Sequence, residues 1–246
     1  MRILIVSDLH SNYEALEAVV EDAAGSYDEV VCLGDVVGYG GDPNRVTEWV
    51  RANTMAVIRG NHDRACTGDA VVEWFSGPAQ IAAEWTSGEL TGENRTFLEQ
   101  LPAGPLAWDG VYLMHGSPRD EDEYVVDKAE AARLLPYLPG DICFFGHTHI
   151  QGGFGLRRGL AWRLAAPADG EHERVHQMEP DTLYLLNPGS VGQPRDMDRR
   201  AAYGLYDTEA KVLALRRTPY DIERAQKRIL EASLPPFLAD RLAQGR

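Results

Sequence analysis

The chain has 246 residues, of which 44% are apolar and 25% are charged, and this composition indicates a globular protein rather than a disordered one. A formal net charge of −14 disfavours DNA, RNA and anionic membranes as partners, because those polyanions bind to positively charged surfaces. The opening apolar run, residues 3–6, is too short for a signal-peptide core, and no segment reaches the roughly 20 apolar residues of a transmembrane helix, so we expect a cytoplasmic protein without a membrane partner.

Strand-like and helix-like segments alternate in the first half of the chain. Ser11 and Glu14 have the spacing of a capping box at the start of one helix. Asp42 and Pro43 begin a second helix, and a third starts near Asp127. The strands predicted in this half are short apolar runs at Ile3–Val6, Glu29–Leu33, Met55–Ile58, Val111–Met114 and Ile142–Phe145. This alternation predicts an α/β fold with a largely parallel sheet covered on both faces.

Residues from about 64 to 104 are predicted to form a helical insertion within a single domain that spans residues 1–246. The insertion carries four large aromatic residues, Trp74, Phe75, Trp85 and Phe97. We expect these side chains to pack in the core. The alternative is that the insertion forms a cap over the substrate.

The second half of the chain is richer in strand patterns. The strands predicted there are Leu160–Leu164, Leu183–Leu186, Ala202–Tyr206 and Val212–Leu215. Residues 165–180 are polar and contain proline, and we expect a loop with His172 and His176 exposed. A C-terminal helix is predicted to start at Asp221, with Ala225 and Ile229 on its apolar face.

The three cysteines, Cys32, Cys66 and Cys143, have no close spacing. Cys32 and Cys143 lie within apolar runs, where a free thiol packs as a small hydrophobic group. The pattern favours buried thiols in a reducing compartment.

Side chains that can bind a metal or carry a proton follow five of the predicted strands. In chain order they are Asp8 and His10, Asp35, Asn61 and His62, His115, and finally His147 and His149. Because ligands bind outside the carboxyl ends of the strands in open α/β sheets, we expect these side chains to converge on one crevice. Asp8 and His10 are two residues apart, as are His147 and His149, and on an extended chain such pairs point in the same direction.

For each of these residues taken singly, the alternative interpretation is that it forms a turn. An Asp after a strand commonly caps a helix or forms a turn, and Gly-Asp and Asn-His dipeptides are common in turns. Turn chemistry does not require an imidazole, however, and histidines recur throughout this set. The combination therefore favours a metal site.

The same residues form an ordered series of motifs. They are Asp8-x-His10, Gly34-Asp35, Gly60-Asn61-His62-Asp63, His115-Gly116 and Gly146-His147-Thr148-His149. As a set, the series resembles the calcineurin-like metallophosphoesterases, and residues 187–195 resemble the small prokaryotic branch of that superfamily. The resemblance covers nearly the whole chain. It implies a four-layer α/β/β/α sandwich with mixed sheets, in which the strand-rich half supplies the second sheet.

The resemblance also implies a centre of two divalent metal ions. The implied ligands are Asp8, His10 and His149 for one ion, Asn61, His115 and His147 for the other, and Asp35 as the bridge between them. This nitrogen-rich set suits Mn, Fe, Zn or Co better than Mg or Ca. A bridging hydroxide would attack the phosphorus. His62 matches the family's catalytic histidine, which is not a ligand, and when protonated it would assist the leaving group.

The chain departs from the protein serine/threonine phosphatases of this superfamily in the second motif. Those enzymes continue it as Gly-Asp-x-x-Asp-Arg-Gly. Here Gly38 replaces the Asp that orients the catalytic histidine, and Tyr39 replaces the phosphate-binding Arg. The departure disfavours protein phosphatase activity and leaves Asp63 and Asp42 as candidates to orient His62.

Asn12 and Arg195 are the candidate substrate-binding residues. Arg195 lies in a Gly- and Pro-containing loop that the family places near the site, while Arg59 and Arg64 flank the third motif. For each arginine the alternative is a solvated surface position. Asn12 could donate to a phosphoryl oxygen, and its alternative role is to cap the first helix.

These features predict a phosphodiesterase or phosphatase that acts on a small phosphorylated substrate, with a nucleotide as one option. Nuclease activity is an alternative that the negative charge disfavours. A second alternative is a non-catalytic scaffold, as in the retromer subunit of this family, which keeps the fold with a degraded site. The complete ligand set disfavours the scaffold. Oligomeric state stays open.

Overall fold

A computed structural model describes residues 1–246, with the side chain of Leu135 outside the description. Two six-stranded sheets dominate the described chain. In chain order the strands are β1 (Arg2–Val6), β2 (Glu29–Cys32), β3 (Ala56–Val57), β4 (Leu106–Trp108), β5 (Val111–Leu113), β6 (Ile142–Phe144), β7 (Gly152–Arg157), β8 (Leu160–Leu164), β9 (Glu173–Gln177), β10 (Leu183–Asn187), β11 (Ala201–Asp207) and β12 (Val212–Thr218). The first sheet has the order β3-β2-β1-β11-β12-β9 and the second the order β4-β5-β6-β10-β7-β8.

Both sheets are mixed. In the first, β1, β2 and β3 are parallel, and β11, β12 and β9 continue the sheet in antiparallel pairs. In the second, β5, β6 and β10 are parallel, with antiparallel strands on both sides. The parallel strands lie on one side of the first sheet and in the centre of the second. A ligand site is expected at the carboxyl ends of these strands.

Helices cover the outer faces of the sheets. In chain order they are α1 (Tyr13–Asp22), α2 (Pro43–Asn53), α3 (Asn61–Thr67), α4 (Gly77–Glu89), α5 (Gly92–Glu99), α6 (Lys128–Leu134), α7 (Ile222–Glu231) and α8 (Pro236–Asp240). Apolar residues of α1 to α5 pack on the first sheet, and α6 packs on the second.

Strand β1 shows how the layers are built. Ile3 and Ile5 pack in the core between the two sheets, whereas Leu4 and Val6 pack against the helices on the other face. All four side chains are fully buried, because a strand covered on both faces is apolar at every position. Phe144 of the second sheet meets Tyr206 of the first with ring centroids 5.6 Å apart. The resulting order of helix, sheet, sheet and helix confirms the predicted four-layer α/β/β/α sandwich.

The expected loop at 165–180 is wrong in part, because Glu173–Gln177 forms the edge strand β9 paired with β12. Its polar sequence hides the strand, since an edge strand exposes much of its surface to water. His172 is exposed, as expected, but His176 is half-buried, and its Nε2 donates to the carbonyl oxygen of Ala165 at 2.8 Å.

The first helix begins one residue later than the capping-box spacing predicts. Asn12, rather than Ser11, is the N-cap, and its side-chain oxygen accepts a hydrogen bond from the backbone N–H of Ala15 at 3.1 Å. The amide of Asn12 therefore carries out the capping function.

The segment 64–104 is helical, as predicted, but is divided into separate elements. Helix α3 ends at Gly68, which adopts φ +110°, a 3₁₀ turn spans Ala70–Trp74, and α4 and α5 follow. Phe97 and Trp85 pack against buried clusters, as expected. Trp74 does not, because its side chain is 88% exposed.

The described helices are all too short or too polar to cross a membrane. Cys32, Cys66 and Cys143 are buried, free thiols.

Candidate metal centre

The predicted ligands meet at the carboxyl ends of the parallel strands. Asp8 and His10 follow β1, Asp35 follows β2, and His115 follows β5 in the second sheet. Two groups of metal-capable side chains share Asp35, and within each group the potential ligand atoms lie within 4.8 Å of one another. One group is Asp8, His10, Asp35 and His149, and the other is Asp35, His115 and His147.

The backbone at these positions is not extended. Positive φ angles between 47° and 62° occur at Asp8, His10, Asp35, His147 and His149. The extended backbone expected at these pairs is therefore wrong, and His147 and His149 belong to different groups. A left-handed conformation at a residue other than glycine costs about 1–3 kcal/mol, and such strain concentrates at functional sites.

Glycines permit the close approach of these segments. A Cβ atom on Gly60 would lie 2.1 Å from Oδ1 of Asp35, and one on Gly146 would lie 2.1 Å from Oγ of Ser7. A larger residue at either position would displace a ligand loop.

Backbone carbonyl groups fix the tautomers of the four imidazoles. Nδ1 of His10, His115 and His149 faces the carbonyl oxygens of Val37, Leu33 and Gln193, at 3.2, 2.8 and 2.5 Å. Nε2 of His147 faces the carbonyl oxygen of Asp122 at 3.1 Å. A carbonyl oxygen only accepts, so in each neutral ring the proton is on that nitrogen and the other nitrogen carries a lone pair. Metal-binding histidines commonly have this arrangement.

The lone-pair nitrogens point at one another or at oxygens. Nε2 of His10 lies 3.1 Å from Nε2 of His149, so two lone pairs face each other. Nε2 of His115 lies 3.2 Å from Oδ1 of Asn61. Asn61 therefore joins the group to which the sequence assigned it. Groups of electron pairs that converge in this way are stabilised by a cation.

Asp35 occupies the centre of the arrangement. Its Oδ2 lies 3.5 Å from Nε2 of both His10 and His115, one from each group. Its Oδ1 accepts a hydrogen bond from the backbone N–H of His62 at 2.8 Å. The carboxylate is thus oriented by the backbone, with one oxygen between the two groups, as the predicted bridging role requires.

Asp8 has one oxygen free for a ligand. Oδ1 accepts from the backbone N–H of His147 at 3.1 Å and lies 3.4 Å from Nε2 of His149. Oδ2 is buried and has no hydrogen-bond partner. An unpartnered buried carboxylate oxygen is costly unless a cation binds it. Burial also raises the pKa of Asp8 to about 7.

Burial keeps most of the imidazoles neutral. It lowers the pKa of His10 and of His149 well below the ordinary value and lowers the pKa of His147 to about 3. Only a neutral imidazole has a lone pair to give to a metal, so these three rings are ready to bind one.

His115 and Asp35 interact as opposite charges. Burial is the largest single effect on His115 and lowers its pKa, but the charge and hydrogen bond of Asp35, together with the charge of Asp8, outweigh burial and raise that pKa to about 10. Burial is also the largest single effect on Asp35 and would raise its pKa, but the charges of the neighbouring histidines and the hydrogen bond from His115 together hold the pKa well below its usual range. A cation that binds both side chains would take the place of the proton.

His62 lies beside the two groups, enclosed by aromatic rings. Its ring centroid is 4.3 Å from that of Tyr39, 4.4 Å from that of Phe75 and 4.8 Å from that of His10. Nδ1 is buried without a partner and faces Gly38. Burial lowers the pKa of His62 to about 4, so the free imidazole is neutral at neutral pH. The expectation of a protonated His62 does not fit this environment.

Neither carboxylate proposed to orient His62 contacts it. Asp63 accepts hydrogen bonds from the backbone N–H groups of Val36, Val37 and Gly60. Asp42 forms ion pairs with arginine side chains. Aromatic packing holds the His62 ring instead.

A cavity of about 310 Å³ opens beside the ligand groups, and it is within the size range of small-molecule sites. Its walls combine residues of the candidate site with aromatic and basic residues, namely Asp35, Asn61, His62, His147, His149, Tyr39, Trp74, Phe75, Tyr124, Arg195 and Arg241. Arg195, a predicted substrate-binding residue, thus lies in the wall of this cavity. Tyr124 and Arg241 were not predicted, since neither adjoins a recognisable motif in the sequence.

The other candidate substrate residues lie outside this cavity. Arg59 and Arg64 form ion pairs with Glu121, at 2.8 and 3.1 Å. Nδ2 of Asn12 donates to the carbonyl oxygen of Gly192 at 2.8 Å, while its Oδ1 caps α1. The structure therefore favours the capping role of Asn12 over a contact with a phosphoryl oxygen.

The protein is an α/β/β/α sandwich in which histidine and aspartate side chains that could hold a metal gather at the strand ends. Residues 1–211 match the model of the calcineurin-like phosphoesterase superfamily domain, and the chain belongs to that superfamily. It is 34% identical to an uncharacterized protein of Methanocaldococcus jannaschii over 258 residues, which cover 99% of this chain and 98% of that protein.

Two solved structures have the same fold over the whole chain. A metallophosphoesterase from Sphaerobacter thermophilus superposes with a TM-score of 0.86 and 36% identity, covering 100% of this chain and 99% of that chain. A hypothetical protein from Pyrococcus horikoshii superposes with a TM-score of 0.80 and 18% identity, covering 100% and 98%. Membership of the superfamily supports hydrolysis of phosphoester bonds as the chemistry of this chain.

Proposed function

We propose that this protein is a phosphoesterase that uses two divalent cations to hydrolyse a small phosphorylated substrate. The observation that carries the proposal is the set of four imidazoles, each tied to a backbone carbonyl through one nitrogen and presenting the other to a shared carboxylate cluster. Turns and caps do not need this arrangement, whereas metal binding does.

The residues fit a pair of cations. Asp8, His10 and His149 would hold one and Asn61, His115 and His147 the other, with Asp35 between them. The donor set, rich in nitrogen, favours Mn, Fe, Zn or Co over Mg. When bound, such cations lower the pKa of a shared water and neutralise the phosphoryl oxygens.

His62 is the residue of the chain that would act on the leaving group. It lines the cavity, and its low pKa makes it neutral, so it would donate a hydrogen bond from its single N–H to the leaving oxygen and stabilise the negative charge there without giving up the proton. The packing of Tyr39 and Phe75 against the ring would keep this donor in place.

The cavity favours a small substrate with an aromatic part, such as a nucleotide. Trp74 and Tyr124, which are 88% and 50% exposed, provide flat surfaces at its edge. Bases stack on such side chains. The net charge of −14 disfavours a polymeric nucleic acid and hence the nuclease alternative. We also propose a cytoplasmic location, which the three buried free thiols support.

The test is hydrolysis of p-nitrophenyl phosphate and bis(p-nitrophenyl) phosphate by metal-stripped protein reloaded with Mn²⁺, Zn²⁺ or Co²⁺. We expect release of nitrophenol only from the reloaded protein. His62→Gln should retain its metal, measured by mass spectrometry of the elements, while kcat falls about 10²-fold or more.

Two outcomes would count against the proposal. Metal-loaded protein that hydrolyses neither ester would revive the scaffold alternative. Unchanged kcat in the His62→Gln variant would remove His62 from the reaction.

A further inference from the structure

The C-terminal segment adds a basic side chain to the cavity. Residues of α7 and α8, including Ile229 and Leu238, form a buried cluster with Ala82 of α4. The chain then continues into a 3₁₀ turn, Arg241–Gln244, which places Arg241 in the wall of the cavity. This segment lies beyond residue 211, where the match to the superfamily model ends. Arg241 therefore lies outside the part of the chain that the superfamily model matches.

Arg195 and Arg241 both lie beside the aromatic ring of Tyr39. Their Cζ atoms are 5.7 and 5.9 Å from the ring centroid of Tyr39. Arg195 donates to Oε1 of Gln193 at 2.9 Å and to the hydroxyl of Tyr39 at 3.4 Å. Nε of Arg241 donates to a main-chain oxygen of Arg246, the last residue of the sequence, at 2.5 Å.

Neither guanidinium forms an ion pair with an aspartate or glutamate side chain within the described part of the chain. This differs from Arg59, just before α3, and Arg64, within α3, which both form ion pairs with acidic side chains. Burial and the nearby charge of Arg195 lower the pKa of Arg241 to about 10, so it remains positive at neutral pH. Two half-buried guanidinium groups without an acidic side chain as partner make this cavity attractive to an anion.

Charge balance indicates which anion. Two carboxylates, Asp8 and Asp35, and one hydroxide would leave two divalent cations with a single positive charge, and a reacting phosphate dianion would bring the metal centre to −1. Of the two positive charges of the arginines, one then has no counter-charge at the metal centre. A second phosphate supplies one, and guanidinium groups bind phosphate through paired hydrogen bonds.

We propose that Arg195 and Arg241 form a subsite for a second phosphate that is not hydrolysed, so that the substrate class is a diphosphate or bisphosphate ester. This inference rests on the proposed function, because it places the reacting phosphate at the metal centre. The second phosphate makes and breaks no bond and serves to position the substrate.

The test compares substrates that differ by one phosphate, using adenosine 5′-phosphate with adenosine 5′-diphosphate and with adenosine 3′,5′-bisphosphate. Phosphate release by the metal-loaded protein is measured for each. We expect kcat/KM to be at least about tenfold higher for the compounds with a second phosphate. Adenosine 5′-phosphate lacks the charge-assisted contact that the second phosphate would make with the arginines. Arg241→Gln and Arg195→Gln should each reduce this ratio about tenfold, chiefly through KM.

The matched control is Arg158→Gln, which removes the same charge from an exposed position in the turn between β7 and β8. It should leave the ratio unchanged. If one of the two cavity variants does not fold, the other carries the same expectation.

A second readout does not depend on turnover. Calorimetry should show that inorganic pyrophosphate binds more tightly than inorganic phosphate. Arg241→Gln should weaken the binding of pyrophosphate more than the binding of phosphate. The subsite would be overturned if kcat/KM in the unmodified protein were the same with and without a second phosphate on the substrate. It would also be overturned if the preference for a second phosphate survived both substitutions. Absence of hydrolysis of every ester, p-nitrophenyl phosphate included, would instead contradict the proposed function, and the pyrophosphate binding would still decide the subsite.

Discussion

The imidazoles of His10 and His149 are oriented by the backbone carbonyl groups of Val37 and Gln193. A carbonyl group belongs to the fold, so these rings are positioned as soon as the strands and loops are in place. The same holds for Asp35, whose Oδ1 is fixed by a backbone N–H. The left-handed backbone at the ligands shows that the rest of the fold offsets a local conformational cost.

The position of His62 depends on the absence of a side chain at Gly38. A Cβ atom there would lie 2.5 Å from Nδ1 of His62, and Gly38 has φ +92°. Gly38→Ala should therefore displace the imidazole and lower kcat about tenfold or more, while the bound metal remains. Steady-state kinetics and metal analysis measure the two effects.

Gly110→Ala is the matched control for that substitution. Gly110 also has positive φ, +79°, but a Cβ atom there meets nothing within 4 Å. Both variants should lose about 1–3 kcal/mol of stability from backbone strain, and only Gly38→Ala should lose kcat. Equal kcat in the two variants would show that the space at Gly38 has no part in positioning His62.

Residues at strand ends were predictable because a short apolar run locates the carboxyl end of a strand. Asp8, Asp35 and His115 could be placed at one crevice for that reason. Arg241 could not, because its position depends on how a C-terminal segment packs on α4, far away in sequence. The partner of His62 was sought among acids, whereas aromatic rings surround it, and nothing in the local sequence indicates such packing.

At the scale of elements, strands with continuous apolar runs were the predictable ones. Strand β7 was missed because it contains Gly152, Gly153 and Gly155, and glycine is unfavourable in strands. The indole of Trp162 on β8 covers Gly155, at 2.3 Å from where a Cβ would be. Strand β9 was missed because its residues are polar. In both cases a neighbouring strand supplies the stability that the local sequence lacks.

The 3₁₀ turn Ala70–Trp74 brings an exposed aromatic side chain to the cavity. Because Trp74 is 88% exposed, Trp74→Ala should change the free energy of unfolding by less than about 0.5 kcal/mol. If the insertion acts as a substrate cap, the same change should raise KM for a nucleotide at least about fivefold through lost stacking. Thermal unfolding and steady-state kinetics test the two parts.

Leu160→Ala provides a control on another exposed apolar residue, 74% exposed on β8. It should alter neither stability nor KM appreciably. A Trp74→Ala variant with normal KM for nucleotides would mean that the insertion does not contact the substrate.

At the scale of the whole molecule, the ligands come from both sheets. Asp8 and Asp35 follow strands of the first sheet, and His115 and His147 follow strands of the second. Bound cations would therefore connect the two halves of the sandwich. The protein has a formal net charge of −14. Bound cations, together with the two arginines of the cavity wall, would make the site positively charged within this acidic protein.

Metal binding should consequently stabilise the fold as a unit. At a free metal concentration of a hundred times Kd, each site adds about 2.7 kcal/mol, which raises Tm by about 5–10 °C for a chain of this size. Differential scanning calorimetry with and without a chelator measures the shift. Asp35→Asn should show a smaller shift than the unmodified protein, and an equal shift in both would place the metal elsewhere.

The most direct measurement is anomalous X-ray diffraction from crystals grown with Mn²⁺. Two peaks are expected, one next to Asp8, His10 and His149 and the other next to Asn61, His115 and His147, with a carboxylate oxygen of Asp35 in contact with both. Peaks that avoid these side chains, or no peak at a metal concentration that supports hydrolysis, would contradict a cation pair at the strand ends.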